Sequence, residues 1–125
     1  MKIAMTGVFV NDPHEALTFY TQVLGFQEKM YVKEADIAIV VSPEDPDGTT
    51  LLLEPMGHPA AKTYQEAIYK TGLPVIVFGV EDMAQEVERL KERGVVFTQE
   101  PTTSEYGTLA VFDDTCGNLI QLHQP

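Results

Sequence analysis

The feature that most constrains this chain is an internal duplication. "FVND" at 9–12 can be set over "GVED" at 79–82, and each is followed by a run with helical spacing that ends on a glycine, Gly25 in one case and Gly94 in the other. The offset is about 70 residues, too long for a solenoid unit and suited to a duplicated module. Whatever one copy folds into, the other is expected to fold into as well.

The first copy begins with "IAMTGVFV" (3–10), rich in β-branched and apolar residues and therefore a strand. "NDPHEALTFYTQVLG" carries helix-start signals. Asp12 is the cap, Pro13 suits the first helical position, and Glu15 completes a capping box. Ala16, Leu17, Tyr20, Val23 and Leu24 recur at helical spacing as a buried stripe, and Gly25 closes the helix. Strands are expected at 26–32, 36–42 and 49–54, the last two joined by the turn cluster "PEDPDG". The second copy repeats this order. A strand at 73–80 leads to a helix capped by Asp82, with Met83, Val87 and Leu90 inward, and strands at 95–98, 108–112 and 118–123 follow.

Each copy therefore reads β-α-β-β-β. The expected architecture is α+β, one domain over 1–125, built as module one (1–55), a linker helix (56–72) and module two (73–125). In the linker, Pro59 opens the helix, Ala61, Tyr64 and Ile68 form its inner stripe, and Gly72 closes it. A sheet with one helix on one face leaves its other face unused. Two such sheets side by side form an open half-barrel around a cleft, the usual setting for a small-molecule site.

Composition narrows the partners. Nineteen acidic against eight basic side chains give a formal net charge of −11. Phosphate backbones and anionic membrane surfaces repel such a protein, so neither nucleic acid nor membrane is an expected partner. The N-terminus lacks the apolar core and cleavage site of a signal peptide, and the lone Cys116 has no internal partner for a disulfide. Both point to the cytoplasm.

"DPHEALTFYTQVLGF", "GVEDMAQEVERLKERGV" and "FDDTCGNLIQL", set in paired βαβββ modules, resemble the vicinal oxygen chelate superfamily: glyoxalase I, extradiol dioxygenases, fosfomycin-modifying transferases and bleomycin-sequestering proteins. The resemblance runs over nearly the whole chain. It implies a glyoxalase-like fold, often dimeric, but is nearly silent on chemistry, because one fold hosts many functions.

In metal-using members, first and late strands of each module converge on one divalent ion that holds two substrate oxygens. By that resemblance the ligand positions fall on Met5, Glu54, Val75 and Gln121, with the register at Glu54 open by one residue. Only Glu54 is a normal ligand type. A thioether is too soft for a hard cation, valine has no lone pair, and an amide is neutral. No cofactor is expected, although a divalent metal held by a nonstandard set stays open. Gln121 then reads as a hydrogen-bonding group facing a small molecule.

His123 shares a strand face with Gln121, while His58 follows Glu54 at a Glu-x-x-x-His spacing. Both are candidate cleft residues, against a frayed terminus and a loop respectively. Tyr106, in the loop "TTSEYGT" with Gly107, is a candidate closing residue. Cys116, beside Asp113 and Asp114, suits a turn better than a nucleophile.

Three functions remain open at this level. One is a metal-free binder of an aromatic or amphipathic small molecule, acting as a homodimer. Another is a divalent-metal-dependent lyase, isomerase or dioxygenase with altered ligands. The third is an interaction or structural subunit whose cleft is filled. Whether any reaction is catalysed is left undecided by the residues alone.

Overall fold

The computed structural model describes all residues, 1–125, and the chain divides into two compact units, Met1–Thr63 and Tyr64–Pro125. In chain order the first unit contains β1 (Met5–Val10), α1 (Pro13–Thr18) running on into a π-helical turn (Phe19–Val23), β2 (Gln27–Val32), β3 (Ile37–Val41) and β4 (Thr50–Pro55). Helix α2 (Pro59–Lys70) crosses the boundary. The second unit continues with β5 (Ile76–Gly79), α3 (Met83–Glu92), β6 (Phe97–Ser104), β7 (Gly107–Asp113) and β8 (Leu119–Gln124).

The duplication is real in three dimensions. The first unit's sheet has the order β1-β4-β3-β2 and the second's β5-β8-β7-β6. In each, the first strand pairs in parallel with the last, and the remaining pairs are antiparallel. Both sheets are mixed and unclosed, as the α+β reading required.

Alternation along the strands decides which face is buried. In the first unit Val8, Val10, Ala38, Val40, Leu51 and Leu53 turn to α1 and bury themselves with Ala16, Leu17 and Tyr20. In the second, Ala110, Phe112, Ile120 and Leu122 bury themselves with Met83, Val87 and Leu90 of α3. A fully buried side chain of this size contributes about 1.5–3 kcal/mol, so each small core rests on a handful of residues.

Helix starts follow the expected caps with one difference. Asp12 accepts from the amides of His14 (2.9 Å) and Glu15 (3.3 Å), but Glu15 makes no return bond, so the cap works from one side only. Asp82 accepts from the amide of Gln85 (3.0 Å), and Gln124 Oε1 takes the Met83 amide (2.6 Å), a second cap supplied by β8. Gly25 and Gly94 close their helices at φ values of 93° and 85°.

Two expectations are corrected. The inner stripe of α2 is Ala61 and Gln65, with Ile68 half-buried; Tyr64 is 53% exposed while Gln65 is 4% exposed. The reason is hydrogen bonding. Gln65 Nε2 reaches the Cys116 carbonyl and Asn118 Oδ1, both at 3.4 Å, and a buried turn that needs a donor outbids an aromatic ring. The segment "TTSEYGT" is not a loop either. β6 runs through Pro101 to Ser104, tolerating the proline because it is an edge strand with register shifts on both sides of Gln99, and it turns back tightly at Glu105 and Tyr106.

Candidate functional site

The face of each sheet opposite its helix is the one that holds candidate groups. In the first unit that face carries Met5, Gly7 and Phe9 from β1, and Leu52 and Glu54 from β4. Met5 stands 47% exposed; Phe9, Leu52 and Glu54 are half-buried. Phe9 lies in register with Glu54 and Gly7 with Leu52. Glu54 folds its carboxylate over Gly7, where an added Cβ would stand 2.9 Å from Oε2. Gly7 is thus the space in which the carboxylate rests, which is the reason a mid-strand glycine occurs there.

In the second unit the corresponding face carries Val75, Val77 and Gly79 beside Gln121 and His123 of β8. Gln121 sits between Val77 on β5 and Val111 on β7, in register with both. Val77 is 52% exposed, and Val75, Gln121 and His123 are half-buried. Neither Glu54 nor Gln121 makes a side-chain hydrogen bond or an ion pair within the chain. Gln121 stands between two valines with His123 two residues along, and Glu54 stands beside Phe9 and Leu52.

Strand register revises the correspondence between modules. Asp12 and Asp82 align the two caps, so Gly7 corresponds to Val77. Gly7 pairs with Leu52 and Val77 with Gln121, which makes Leu52 the counterpart of Gln121 and His123 the counterpart of Glu54. Carried over in this register, the resemblance would place the first unit's late-strand position on Leu52, two residues before Glu54. The set would then read Met5, Leu52, Val75 and Gln121: a thioether, two aliphatics and a neutral amide. Such a donor set does not fit a hard divalent cation. No group of three or more His, Cys, Asp or Glu is placed to hold a metal elsewhere either.

The other candidates are held by their own surroundings. His58 is exposed, and its Nδ1 accepts the Ala60 amide at 3.0 Å, so its ring caps α2. His123 Nε2 lies 2.9 Å from the Tyr106 carbonyl. A carbonyl only accepts, so Nε2 carries the hydrogen and the ring ties the β6–β7 turn to β8. Tyr106 itself is 77% exposed at the hairpin tip. Cys116 is buried in a turn, as its surroundings implied.

The turn before β8 is a small polar core that the sequence reading missed. Asp114 is fully buried. Its Oδ1 accepts from the amides of Cys116 (2.7 Å) and Asn118 (3.0 Å), and its Oδ2 from Asn118 Nδ2 (3.0 Å). Thr115 and Gly117 adopt positive φ, 62° and 100°, and a Cβ on Gly117 would fall 2.7 Å from the Gln65 amide. "DTCGN" is therefore the device that launches β8 and sets which way Gln121 faces. The spacing of Asp114 to Asn118 in the sequence was the available signal.

Beside this turn Tyr69 donates its hydroxyl to Asp113 Oδ2. That hydrogen bond, with the negative charge of Asp113, raises the Tyr69 pKa above the ordinary 10.0. Tyr69, Val96, Asp113, Thr115 and Gly117 line a wide-open recess of about 390 Å³. No helix is long and apolar enough to cross a membrane.

Comparison with known proteins agrees with this geometry. The YurT protein of Bacillus subtilis (strain 168) is 56% identical over 126 residues, covering 99% of each chain. The crystal structure of UcmS2 is 30% identical, covers 100% of this chain and 98% of its own, and superposes with a TM-score of 0.84. TnmS3, described as an antibiotic binding protein from Streptomyces sp. CB03234, is 24% identical over 100% of this chain and 96% of its own, with a TM-score of 0.78. The family model for the Glyoxalase/Bleomycin resistance protein/Dioxygenase superfamily matches residues 2–122. With its two βαβββ units and unclosed mixed sheets, the chain belongs to that superfamily.

Proposed function

We propose that the chain is a small-molecule-binding protein that takes an apolar or amphipathic ligand against its open sheet faces and does so without the metal site of the superfamily's enzymes. The observation that carries this reading is the state of Glu54 and Gln121. Both are half-buried, both are surrounded by apolar side chains, and neither is paired within the chain. Leaving polar groups half-desolvated without partners is costly, and a ligand that offers donors relieves that cost. An apolar face with a few unpaired polar groups is the common composition of a ligand site. The likeness in fold to TnmS3, an antibiotic binding protein, supports the same direction.

The replacement of metal ligands by Met5, Leu52, Val75 and Gln121 argues against a metal-dependent reaction on these faces. A homodimer is part of the proposal: Met30 and Leu73 leave apolar surface exposed outside the candidate residues, which a second copy covers at low cost.

The test has two arms. Protein purified without chelator or a nickel-binding tag is analysed for metal, and substoichiometric Mn, Fe, Ni and Zn are expected. Stoichiometric metal in any preparation overturns the metal-free reading. A thermal-shift screen against neutral and charged aromatic compounds is then expected to raise Tm for a subset, by mass action on the folded state. A flat screen favours a filled or structural face instead.

A further inference from the structure

We infer that Glu54 and Gly7 together form a charge-selecting pocket that prefers ligands with a protonated amine or amidine beside an aromatic or aliphatic body. This deepens the binding reading above and rests on it. Three observations carry the selectivity. The Glu54 carboxylate is the charged group on the first unit's open face, set among Met5, Phe9 and Leu52. Lys29, on edge strand β2 with β3 between it and β4, directs its ammonium to the Pro46 carbonyl (3.3 Å) rather than to Glu54. Gly7 has no side chain where the carboxylate rests, with Oε2 at 2.9 Å and the carboxyl carbon at 3.3 Å from where a Cβ would be.

The duplication sharpens the point. At the corresponding place in the second unit, Val77 fills the space that Gly7 leaves open, and His123 replaces Glu54 with its ring tied to the Tyr106 carbonyl. The carboxylate and its vacancy are thus particular to the first unit. Nor does Glu54 occupy the position that corresponds to Gln121, which is Leu52. It stands one strand repeat away, next to Phe9, whose ring can flank a cation held by the carboxylate. Met5 supplies an adaptable thioether for the ligand's apolar body. The net charge of −11 adds long-range attraction for a cation and repulsion for an anion.

Matched probes separate charge from shape. Naphthylmethylammonium, naphthylmethanol and naphthoate are titrated calorimetrically into the full chain at neutral pH, and into Glu54→Gln and Gly7→Ala. The ammonium is expected to bind about tenfold or more tighter than naphthoate, the alcohol falling between them. Glu54→Gln is expected to bring the three within about threefold of each other, chiefly through loss of ammonium affinity. Gly7→Ala, which keeps the carboxylate but pushes it from its seat, is expected to cut the ammonium preference at least in half. It also reports on the pocket should Glu54→Gln fold poorly, since far-UV circular dichroism identifies an unfolded variant. Equal binding of all three probes removes the charge selection and leaves the binding reading standing. A cation preference that survives both substitutions places its source in the protein's overall charge and overturns the role of Glu54. Failure of all three probes to bind takes down the binding reading itself.

Discussion

Asp114 shows how one side chain can govern a site it never touches. Its carboxylate accepts three hydrogen bonds inside the turn that precedes β8, and Gln65 closes the turn from α2. Replacing it by alanine removes the acceptor of these three hydrogen bonds. Asp114→Ala is expected to lower unfolding stability by about 3 kcal/mol, read from urea denaturation midpoints at unchanged m-value. A loss below about 1 kcal/mol means the turn holds itself through its backbone. Little of this was visible in the residues. Asp114 is one of two adjacent aspartates, and nothing in the string tells which one is buried. Gly7 was similarly opaque: a mid-strand glycine signals a close approach, but not that the carboxylate of Glu54, on a different strand far along the chain, is what approaches it. Only the β1–β4 register brings Glu54 there.

At the scale of elements, the β6–β7 hairpin is the clearest revision. Alternation is weak through "TQEPTTSEYG", and Pro101 interrupts it, so a loop was the natural reading of 102–107. The structure makes it a strand because an edge position tolerates proline and because β7 offers backbone partners that the sequence does not announce. The turn is pinned. Gly107 has φ of 112°, an added Cβ would meet the Gln124 carbonyl at 2.4 Å, and His123 reaches the Tyr106 carbonyl. Gly107→Ala is therefore expected to cost about 2 kcal/mol or more and to speed amide exchange in β6 and the start of β7, leaving β1–β4 unchanged. Uniform acceleration across both sheets, or none, contradicts a local pin. Helix α2 teaches the same lesson from the other side. Its limits were readable from Pro59 and Gly72, yet its inner face was not, because Gln65 is buried by partners that lie some fifty residues away.

For the molecule as a whole, charge dominates. Ion pairs such as Arg89–Glu86 and Lys91–Glu100 sit at partly exposed positions and contribute little. The net charge of −11 opposes compactness through self-repulsion. Raising salt from about 0.01 M to about 0.3 M shortens the screening length several-fold, and Tm is expected to rise by a few degrees. A fall in Tm on adding salt would show that local ion pairs outweigh the repulsion.

The sequence alone determined the duplicated βαβββ order, the caps at Asp12 and Asp82, the glycine stops and the apolar stripes of α1 and α3, because each is set by contacts within a few residues of chain. Residue type alone also shows that Val75 has no lone pair to offer, whatever its place in the fold. Tertiary structure alone decided that Leu52 and not Glu54 is the counterpart of Gln121, that Gly7 seats a carboxylate, and that Gln65 belongs inside. Those outcomes depend on strand register and on which distant backbone groups demand a partner, and neither is encoded in local periodicity.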